Sequence, residues 1–244
     1  DMKAAGNENT FNVLENGVVT SSANASTLGL DTGTITPDGI SANKDNGFSI
    51  IKYTGAVTGN NKSFAHGLSK PPEIIIIKNI DWGVPDWFIW HKNLSSDTHY
   101  LRFTTAVEAQ SSSVYSAAPT NSLINIGNDS GVGDRTDGYI CYAWHSVPGF
   151  SKIGAYTGTT SSAIDIETGF EPAFVLIKGY SVGDSYGGSW LVVDNKRGDG
   201  GFNTAKFLRP DTTGTEFTNA VYGLNFTSTG FQIPSGTTSV NLNS

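Results

Sequence analysis

Hydrophobic residues along the chain fall in short runs of four to seven positions, bounded by Gly, Pro, Asn, Asp and Ser. Such runs are typical of β-strands, while the spacing of an amphipathic helix is nearly absent. The first half of the chain has seven of these runs: GFSIIKYTG, SFAHGL, PEIIIIKN, DWFIWHK, HYLRFTT, SLINIGN and DGYICYAWHS. That number of short strands suits a β-sandwich or a jelly roll.

The second half of the chain repeats the first. GFSIIKYTG at 47–55 returns as GFSKIGAYTG at 149–158, and PPEIIIIKN returns as EPAFVLIKG. The alignment sets these residues opposite each other: Lys78 and Lys178, Trp87 and Trp190, Arg102 and Arg209. Residue types that recur in one order indicate two copies of a module. We predict an all-β protein of two tandem β-sandwich or jelly-roll-like modules, 47–148 and 149–244, after an N-terminal connecting segment, 1–46.

The start of each copy predicts how the module begins. The GF pair follows a turn in both copies, and YTG closes the first strand with Gly55 or Gly158, which can take a positive φ. Before the first copy, TFNVL and GTITPDGISAN have the composition of short strands. The rest of residues 6–46 is rich in Ser, Thr, Asn and Gly, as is typical of a linker.

The two copies differ at their last strand. In the first copy, Tyr139 to Trp144 alternates Tyr, Cys and Ala on one face with Ile, Tyr and Trp on the other, so we expect it inside a sheet. The second copy has no counterpart of this strand before Ser244, and its sheet would otherwise keep an open edge. We expect a strand from beyond this sequence, or from an adjoining chain, to complete that sheet, and DMKAA to trail from an earlier module.

Composition and charge limit the kinds of molecule that the protein is expected to bind. A net charge of −7 and a pI near 5.0 argue against nucleic acid and anionic membrane surfaces, since both require clustered Lys and Arg. The longest apolar run, Ile74 to Ile77, is too short for membrane insertion, because a spanning helix needs about 20 residues. The single cysteine, Cys141, excludes an intrachain disulfide and a cysteine zinc site, and its YICYAW setting favours a small buried apolar residue.

Two short motifs that carry function elsewhere have simpler explanations here. GYSVG at 179–183 matches the nucleophile elbow of hydrolases, but every histidine precedes Ser181 and no helix is predicted after it. RGD at 197–199 is an adhesion tripeptide, yet such a match arises easily in loops rich in Asp and Gly. Turn formation accounts for both stretches.

Acidic residues are the remaining candidates for chemistry. Asp129, Asp134 and Asp137 share one loop, but their spacing fits no EF-hand, so turn formation is favoured over calcium binding. A glycosidase needs two facing carboxylates, and Glu167 has no strong partner in the sequence. We therefore predict no catalytic residue, no metal ion, no cofactor and no enzyme activity.

Two equivalent loops, NIDWGVPDW at 79–87 and GYSVGDSYGGSW at 179–190, give the best signal for binding. Each displays aromatic side chains beside carboxylates, which suits sugar recognition because a ring stacks on a sugar while a carboxylate takes its hydroxyls. The candidate ligand-binding residues are Asp81, Trp82, Asp86, Tyr180, Asp184 and Tyr186. The alternative is that these aromatics pack under their own loop or against a neighbouring subunit.

The motifs GFSIIKYTG, HGLSKPPEIIIIKN, DWFIWHKNL, YLRFTT and GYICYAWHSVPGFSKIGAYTG together resemble a tandem domain of virion proteins from tailed phages. These proteins, found especially in phages of marine bacteria and cyanobacteria, are usually called tail fibres. The resemblance covers residues 47–244 well and 33–46 loosely. It departs at the absent closing strand of the second copy, and at Met2, where such arrays often carry Trp.

The resemblance implies a virion structural protein and supplies no catalytic residues. We expect part of a tail fibre involved in host-surface attachment, located in the virion, with other virion proteins as partners. Low charge and many aromatics also predict a homo-oligomer, specifically a trimer, because symmetric association hides apolar surface. One alternative is a capsid-decorating fibre or cement protein. An alternative of another class is a lectin-like module that binds a host-surface glycan.

Overall fold

The described part of the chain folds into short β-strands. The structure, a computed structural model, describes residues 13–15, 18–20, 29–83, 86–159, 161–181, 188–197, 206–218 and 224–235. Within these ranges there is no helix, and so no helix that is long and apolar enough to cross a membrane. The predicted all-β class is confirmed, and several antiparallel sheets form β-sandwich-like layers.

The first of two compact units comprises residues 1–102, 109–147 and 151–153. Its strands are β1 (Val13–Glu15), β2 (Val18–Thr20), β3 (Gly39–Asn43), β4 (Phe48–Thr54), β5 (Lys62–Ala65), β6 (Ile74–Asn79), β7 (Trp87–His91), β8 (His99–Arg102), β9 (Ala109–Gln110), β10 (Leu123–Ile126) and β11 (Gly138–Trp144). Nine strands form one sheet in the order β2-β1-β3-β4-β11-β6-β7-β8-β9, and β5 pairs with β10 in a second sheet. Among the strands described for this unit, β1 and β3 pair in parallel and the other pairs are antiparallel.

The core of the first unit lies between its two sheets. Along β11, Tyr139, Cys141 and Ala143 are fully buried, while the residues between them are half-buried on the opposite face. Phe64 of β5 and Ile124 of β10 pack into the same core. The alternation along β11 and its place inside a sheet, between β4 and β6, are confirmed. Cys141 is the small buried residue that was predicted, and burial raises the pKa of its thiol.

The connecting segment before the first copy contributes to this unit. TFNVL and GTITPDGISAN supply β1 and β3, as their composition predicts. Leu30, Ile35 and Ile40 lie in the core beside residues of β4 and β6. At least from residue 29 onward, the segment is therefore part of the fold rather than a bare linker.

The second unit comprises residues 103–108, 148–150 and 154–244. Its strands are β12 (Ile164–Glu167), β13 (Phe174–Lys178), β14 (Trp190–Asp194), β15 (Lys206–Leu208), β16 (Phe217–Thr218), β17 (Asn225–Thr227) and β18 (Gly230–Ile233). They form a four-stranded sheet, β13-β14-β15-β16, and a three-stranded sheet, β12-β18-β17. Side chains from both sheets make one core: Val175, Ile177, Leu191, Val193, Phe207, Leu224, Phe231 and Ile233.

Strand pairing in the two units is similar where the sequence repeats. Strands β6 to β9, and likewise β13 to β16, lie in chain order within their sheets. Lys78 lies opposite Trp87 in the first unit, and Lys178 lies opposite Trp190 in the second. These are residues that the repeat aligns. The tandem-module interpretation, including superposition of the two halves, stays a prediction.

The start of the second copy differs from the expectation. GFSIIKYTG forms β4, but in GFSKIGAYTG only Ser151 makes an isolated bridge, to Val147, and residues 152–159 form no strand. The difference lies in the neighbouring strands. Strand β4 is hydrogen-bonded between β3 and β11, whereas no described strand of the second unit takes the place of β11. The side chain of Tyr156 nevertheless packs against the second core.

The glycine of YTG does not use the positive φ that its residue type allows. Neither Gly55 nor Gly158 adopts it, and the left-handed conformation occurs instead at the glycine of each GF pair, with φ of 64° at Gly47 and 75° at Gly149. Gly55 serves close packing, because a Cβ there would lie 2.3 Å from the carbonyl oxygen of Arg135.

Candidate functional site

The first predicted loop is organised by a buried asparagine at the end of β6. The side-chain oxygen of Asn79 accepts hydrogen bonds from the backbone N–H groups of Asp81, at 3.0 Å, and Trp82, at 2.8 Å. This arrangement is an Asx-type turn, in which a side chain replaces a backbone acceptor. The Asn79 amide donates in turn to Asp137 Oδ2 at 3.0 Å. The loop is therefore held by its own chain at a defined position.

Trp82 is exposed, with 37% of its surface accessible, as is Ile80 before it, at 51%. The guanidinium carbon of Arg135 lies 4.8 Å from its ring centroid, in a cation–π contact. Arg135 Nε also donates to Asp137 Oδ2 at 2.6 Å, and Asp81 Oδ2 accepts from the Gly138 N–H at 2.6 Å. Hydrogen bonds from Asn79 and then Arg135 hold the pKa of Asp137 below its usual value. One face of the indole is thus occupied by Arg135.

Asp81 and Trp82 lie together in the structure, whereas Asp86 and Tyr180 make contacts with other residues. Asp86 forms an ion pair with Arg102 at 3.4 Å. Tyr180 is half-buried, and its carbonyl oxygen accepts from the Glu108 N–H at 2.9 Å. Asp184 and Tyr186 lie outside the described residues. A sugar site made by all six residues therefore stays a prediction.

The acidic loop considered for calcium uses its carboxylates internally. Asp129 Oδ1 accepts from the Gly131 N–H at 2.7 Å, as a turn residue does. Asp134 pairs with Lys62 at 2.9 Å, and Asp137 pairs with Arg135. Over the described residues, no group of three or more His, Cys, Asp or Glu side chains is placed to hold a metal ion.

A shallow groove of about 300 Å³ lies at one end of β6 and β7. Its lining combines prolines with charged and aromatic side chains: Lys70, Pro71, Pro72, Glu73, Trp90, Lys92, Pro119 and His145. Glu73 pairs with Lys92 at 3.0 Å and accepts from the Ser146 N–H at 3.0 Å. Trp90 is buried, and its Nε1–H donates to the Asp97 carbonyl at 3.0 Å. Of the charges in this groove, those of Glu73 and Lys92 already neutralise each other.

The outer face of the large sheet, opposite the core, carries four aromatic side chains in a stacked row. We call Phe48, Trp144, Tyr142 and Trp87 the aromatic ladder. Ring centroids are 4.7 Å apart for Phe48 and Trp144, 6.1 Å for Trp144 and Tyr142, and 6.4 Å for Tyr142 and Trp87. The corresponding interplanar angles are 23°, 18° and 23°. All four side chains are half-buried.

The orientation of the aromatic ladder determines what it can bind. Phe48 and Trp144 stack closely, with ring centroids 4.7 Å apart, so the facing sides of these two rings cover each other. A sugar needs an open ring face, so the facing sides of Phe48 and Trp144 are closed to carbohydrate. Ile50 and Ile76 lie on either side of Tyr142 in the strand register. Half-buried Ile50 extends the apolar area, whereas Ile76 is only 8% exposed. The surface suits contact with another protein face.

Sequence patterns identified only part of these features. Trp82 and Asp81 were found from composition, but Arg135 was missed because its contact with the Trp82 ring spans more than fifty positions. The alternation along β11 did reveal the outward positions of Tyr142 and Trp144. Phe48 and Trp87 were missed as members of the same row, since strand register places them there.

Residues 3–244 match the family model of a domain of unknown function, DUF7483. No curated protein and no solved structure matches the chain. The family match spans both compact units and nearly the whole sequence. The chain therefore belongs to the DUF7483 family, whose function is unknown.

Proposed function

We propose that the chain is a virion structural protein, part of a tail fibre that takes part in host-surface attachment, and that it works as a homotrimer with other virion proteins as partners. The observation that carries the proposal is the aromatic ladder, an apolar row whose geometry suits protein contact. The resemblance of the strand motifs to tail-fibre proteins supplies the virion setting.

The size of the aromatic ladder supports association through more than one contact. If each ring hides about 50 Å² more on association, the four rings contribute about 5 kcal/mol per copy at roughly 25 cal/mol for each Å². Loss of translational and rotational freedom costs about 4–15 kcal/mol for a pair of proteins. A single ladder contact is therefore weak. A closed trimer gives every copy two contacts, which is the arrangement that the proposal requires.

The polar groups of the candidate loops also favour a structural role. Asp81, Asp134 and Asp137 are all engaged by groups of the same chain. Carboxylates used in this way stabilise turns and are not poised for proton transfer. A capsid-decorating fibre or cement protein would use the same contacts, and a map of the assembled particle distinguishes that location from a tail.

Sedimentation equilibrium of the full chain tests the proposal. We expect the wild type to form a trimer, and the double substitution Tyr142→Ser with Trp144→Ser to sediment as a monomer at the same concentration. Lys52→Ser is the matched control, since Lys52 is an exposed residue on the same outer face, and this variant should remain trimeric. A monomeric wild type, or a double variant that is folded and still trimeric, would overturn the proposal.

A lectin-like module is the second candidate, and the exposure of Trp82 beside Asp81 favours it. On a glycan array, sugar binding that disappears in Trp82→Ala but persists in the double ladder variant would assign adhesion to this loop. Array signals that are equal for Trp82→Ala and the wild type would exclude it.

A further inference from the structure

The outer edge of β13 differs from the corresponding edge of β6, the strand that the sequence repeat aligns with it. In the first unit, β6 is paired on both sides, by β11 and β7. Among the described residues, β13 pairs with β14 alone and ends its sheet. Phe174 at the start of β13 is 58% exposed. An edge strand of this kind presents backbone groups that can pair with another strand.

The hydrogen-bond pattern identifies which backbone groups face that edge. The Asn195 N–H donates to the Ala173 carbonyl at 3.1 Å, and these residues lie opposite each other. Bonded pairs alternate in an antiparallel ladder, so Val175 also bonds β14. Phe174 and Leu176 consequently direct their backbone N–H and C=O groups away from β14.

The core beside this edge is less completely covered than in the first unit. Val175 and Ile177 are 9% and 8% exposed, whereas Ile75 and Ile77, which the repeat aligns with them, are 1% and 0% exposed. In the first unit, β11 lies against β6 and carries Cys141 and Ala143 into the core. The small residues of a similar strand would cover the same gap at β13.

We propose that the outer edge of β13 is a peptide-binding site, which takes an extended segment with the alternating pattern of Gly138–Trp144. The segment adds antiparallel to β13, with small apolar side chains toward the core and aromatic side chains on the outer face. Backbone bonds supply affinity, and the alternate side chains supply specificity, as in other cases of strand addition. The site goes beyond the proposed trimer contact and does not depend on it.

A labelled peptide tests the site. The probe is a fluorescent peptide of residues 137–146, DGYICYAWHS, with Cys141→Ala, added to the full chain and followed by anisotropy. We expect saturable binding, together with slower hydrogen exchange at the Phe174 and Leu176 amides. Absence of binding, or binding without this protection, would overturn the proposal.

Two matched peptides test the direction of the backbone bonds. The backbone groups of β11 alternate between its two neighbours. The Ile80–Gly138 bond shows that Ile140 and Tyr142 face β6. The His145–Gly47 bond shows that Cys141 and Ala143 face β4. N-methylation of the peptide at 140 and 142 should abolish binding, whereas N-methylation at 141 and 143 should retain it. Equal binding of the two peptides would contradict the proposed edge.

A substitution in the protein provides an independent arm. Leu176→Pro removes an N–H that faces the edge and leaves the β13–β14 bonds intact, a position where proline is tolerated. Loss of one such bond should weaken peptide binding by about tenfold, while Leu176→Val should bind like the wild type. If Leu176→Pro folds and binds with unchanged affinity, the peptide is bound elsewhere. The methylated peptides on wild-type protein decide the question if this variant does not fold.

Discussion

Replacement of Asp134 by Asn should destabilise the first unit far more than replacement of its partner, Lys62. The Lys62 ammonium lies on β5 and bonds Asp134 Oδ1 at 2.9 Å, with side-chain exposures of 1% for Lys62 and 34% for Asp134. At an effective dielectric constant of about 20, the attraction over this distance is about 6 kcal/mol, and desolvation of both charges offsets most of it. The loss of stability when one residue of the pair is replaced depends on which charge is left without its partner.

Asp134→Asn leaves a buried ammonium without a counter-charge, which should cost about 3 kcal/mol. Lys62→Met leaves a carboxylate that water can reach, so its cost should be below about 1 kcal/mol. In scanning calorimetry, Asp134→Asn should lower the transition of the first unit by about 6–12 °C, from about 2–4 °C for each kcal/mol. The double variant should resemble Lys62→Met, because Asp134 has no ammonium left to neutralise.

The two single variants serve as each other's control. If Asp134→Asn and Lys62→Met lower the transition equally, the burial argument fails, since it requires the cost to follow the less accessible charge. If the double variant is as unstable as Asp134→Asn, the carboxylate stabilises the fold through something other than Lys62.

Two further predictions concern acid sensitivity and the GF glycines. Burial lowers the pKa of His66 from 6.5 to about 4. Below pH 6.5 the unfolded chain therefore takes up a proton that the folded chain excludes. The contribution of His66 to stability is full above pH 6.5 and declines as the pH falls toward 4. His66 should therefore account for a loss of about 2–3 kcal/mol in the free energy of unfolding, measured in urea, between pH 7 and pH 4.5, and His66→Gln should lose that much less than the wild type; equal losses in both proteins would contradict this. Both glycines have a positive φ, but Gly47→Ala should lower the free energy of unfolding more than Gly149→Ala does. A Cβ at Gly47 would lie 2.7 Å from the His145 carbonyl oxygen, whereas a Cβ at Gly149 would have no atom of the described residues within 4 Å apart from its chain neighbours. The strained backbone alone should destabilise each variant by about 1–2 kcal/mol. If calorimetry shows that both variants are destabilised equally, the close contact at Gly47 makes no contribution.

Local patterns were enough to predict most strands. The runs that became β4, β6, β7 and β11 are bounded by turn residues, and the alternation along β11 matches its burial. The same reasoning failed at residues 152–159, where a nearly identical sequence forms no strand. Strand formation there depends on a neighbour in the sheet, which the local sequence does not contain.

The candidate site was less predictable because its contacts are distant along the chain. Arg135 reaches Trp82, and Lys62 reaches Asp134, only after β11 and β5 are placed. The glycine of YTG was expected to close a strand, in a position where a positive φ is possible. Its place is instead explained by close backbone packing, which composition does not reveal.

The proposed function requires that the chain associates with copies of itself through the aromatic ladder. A cryo-electron microscopy map of the full-length assembly would show what lies against Trp144 and Tyr142. We expect a closed trimer in which the ladder of every copy is buried against a neighbour. A map in which the ladder of every copy faces solvent would contradict it.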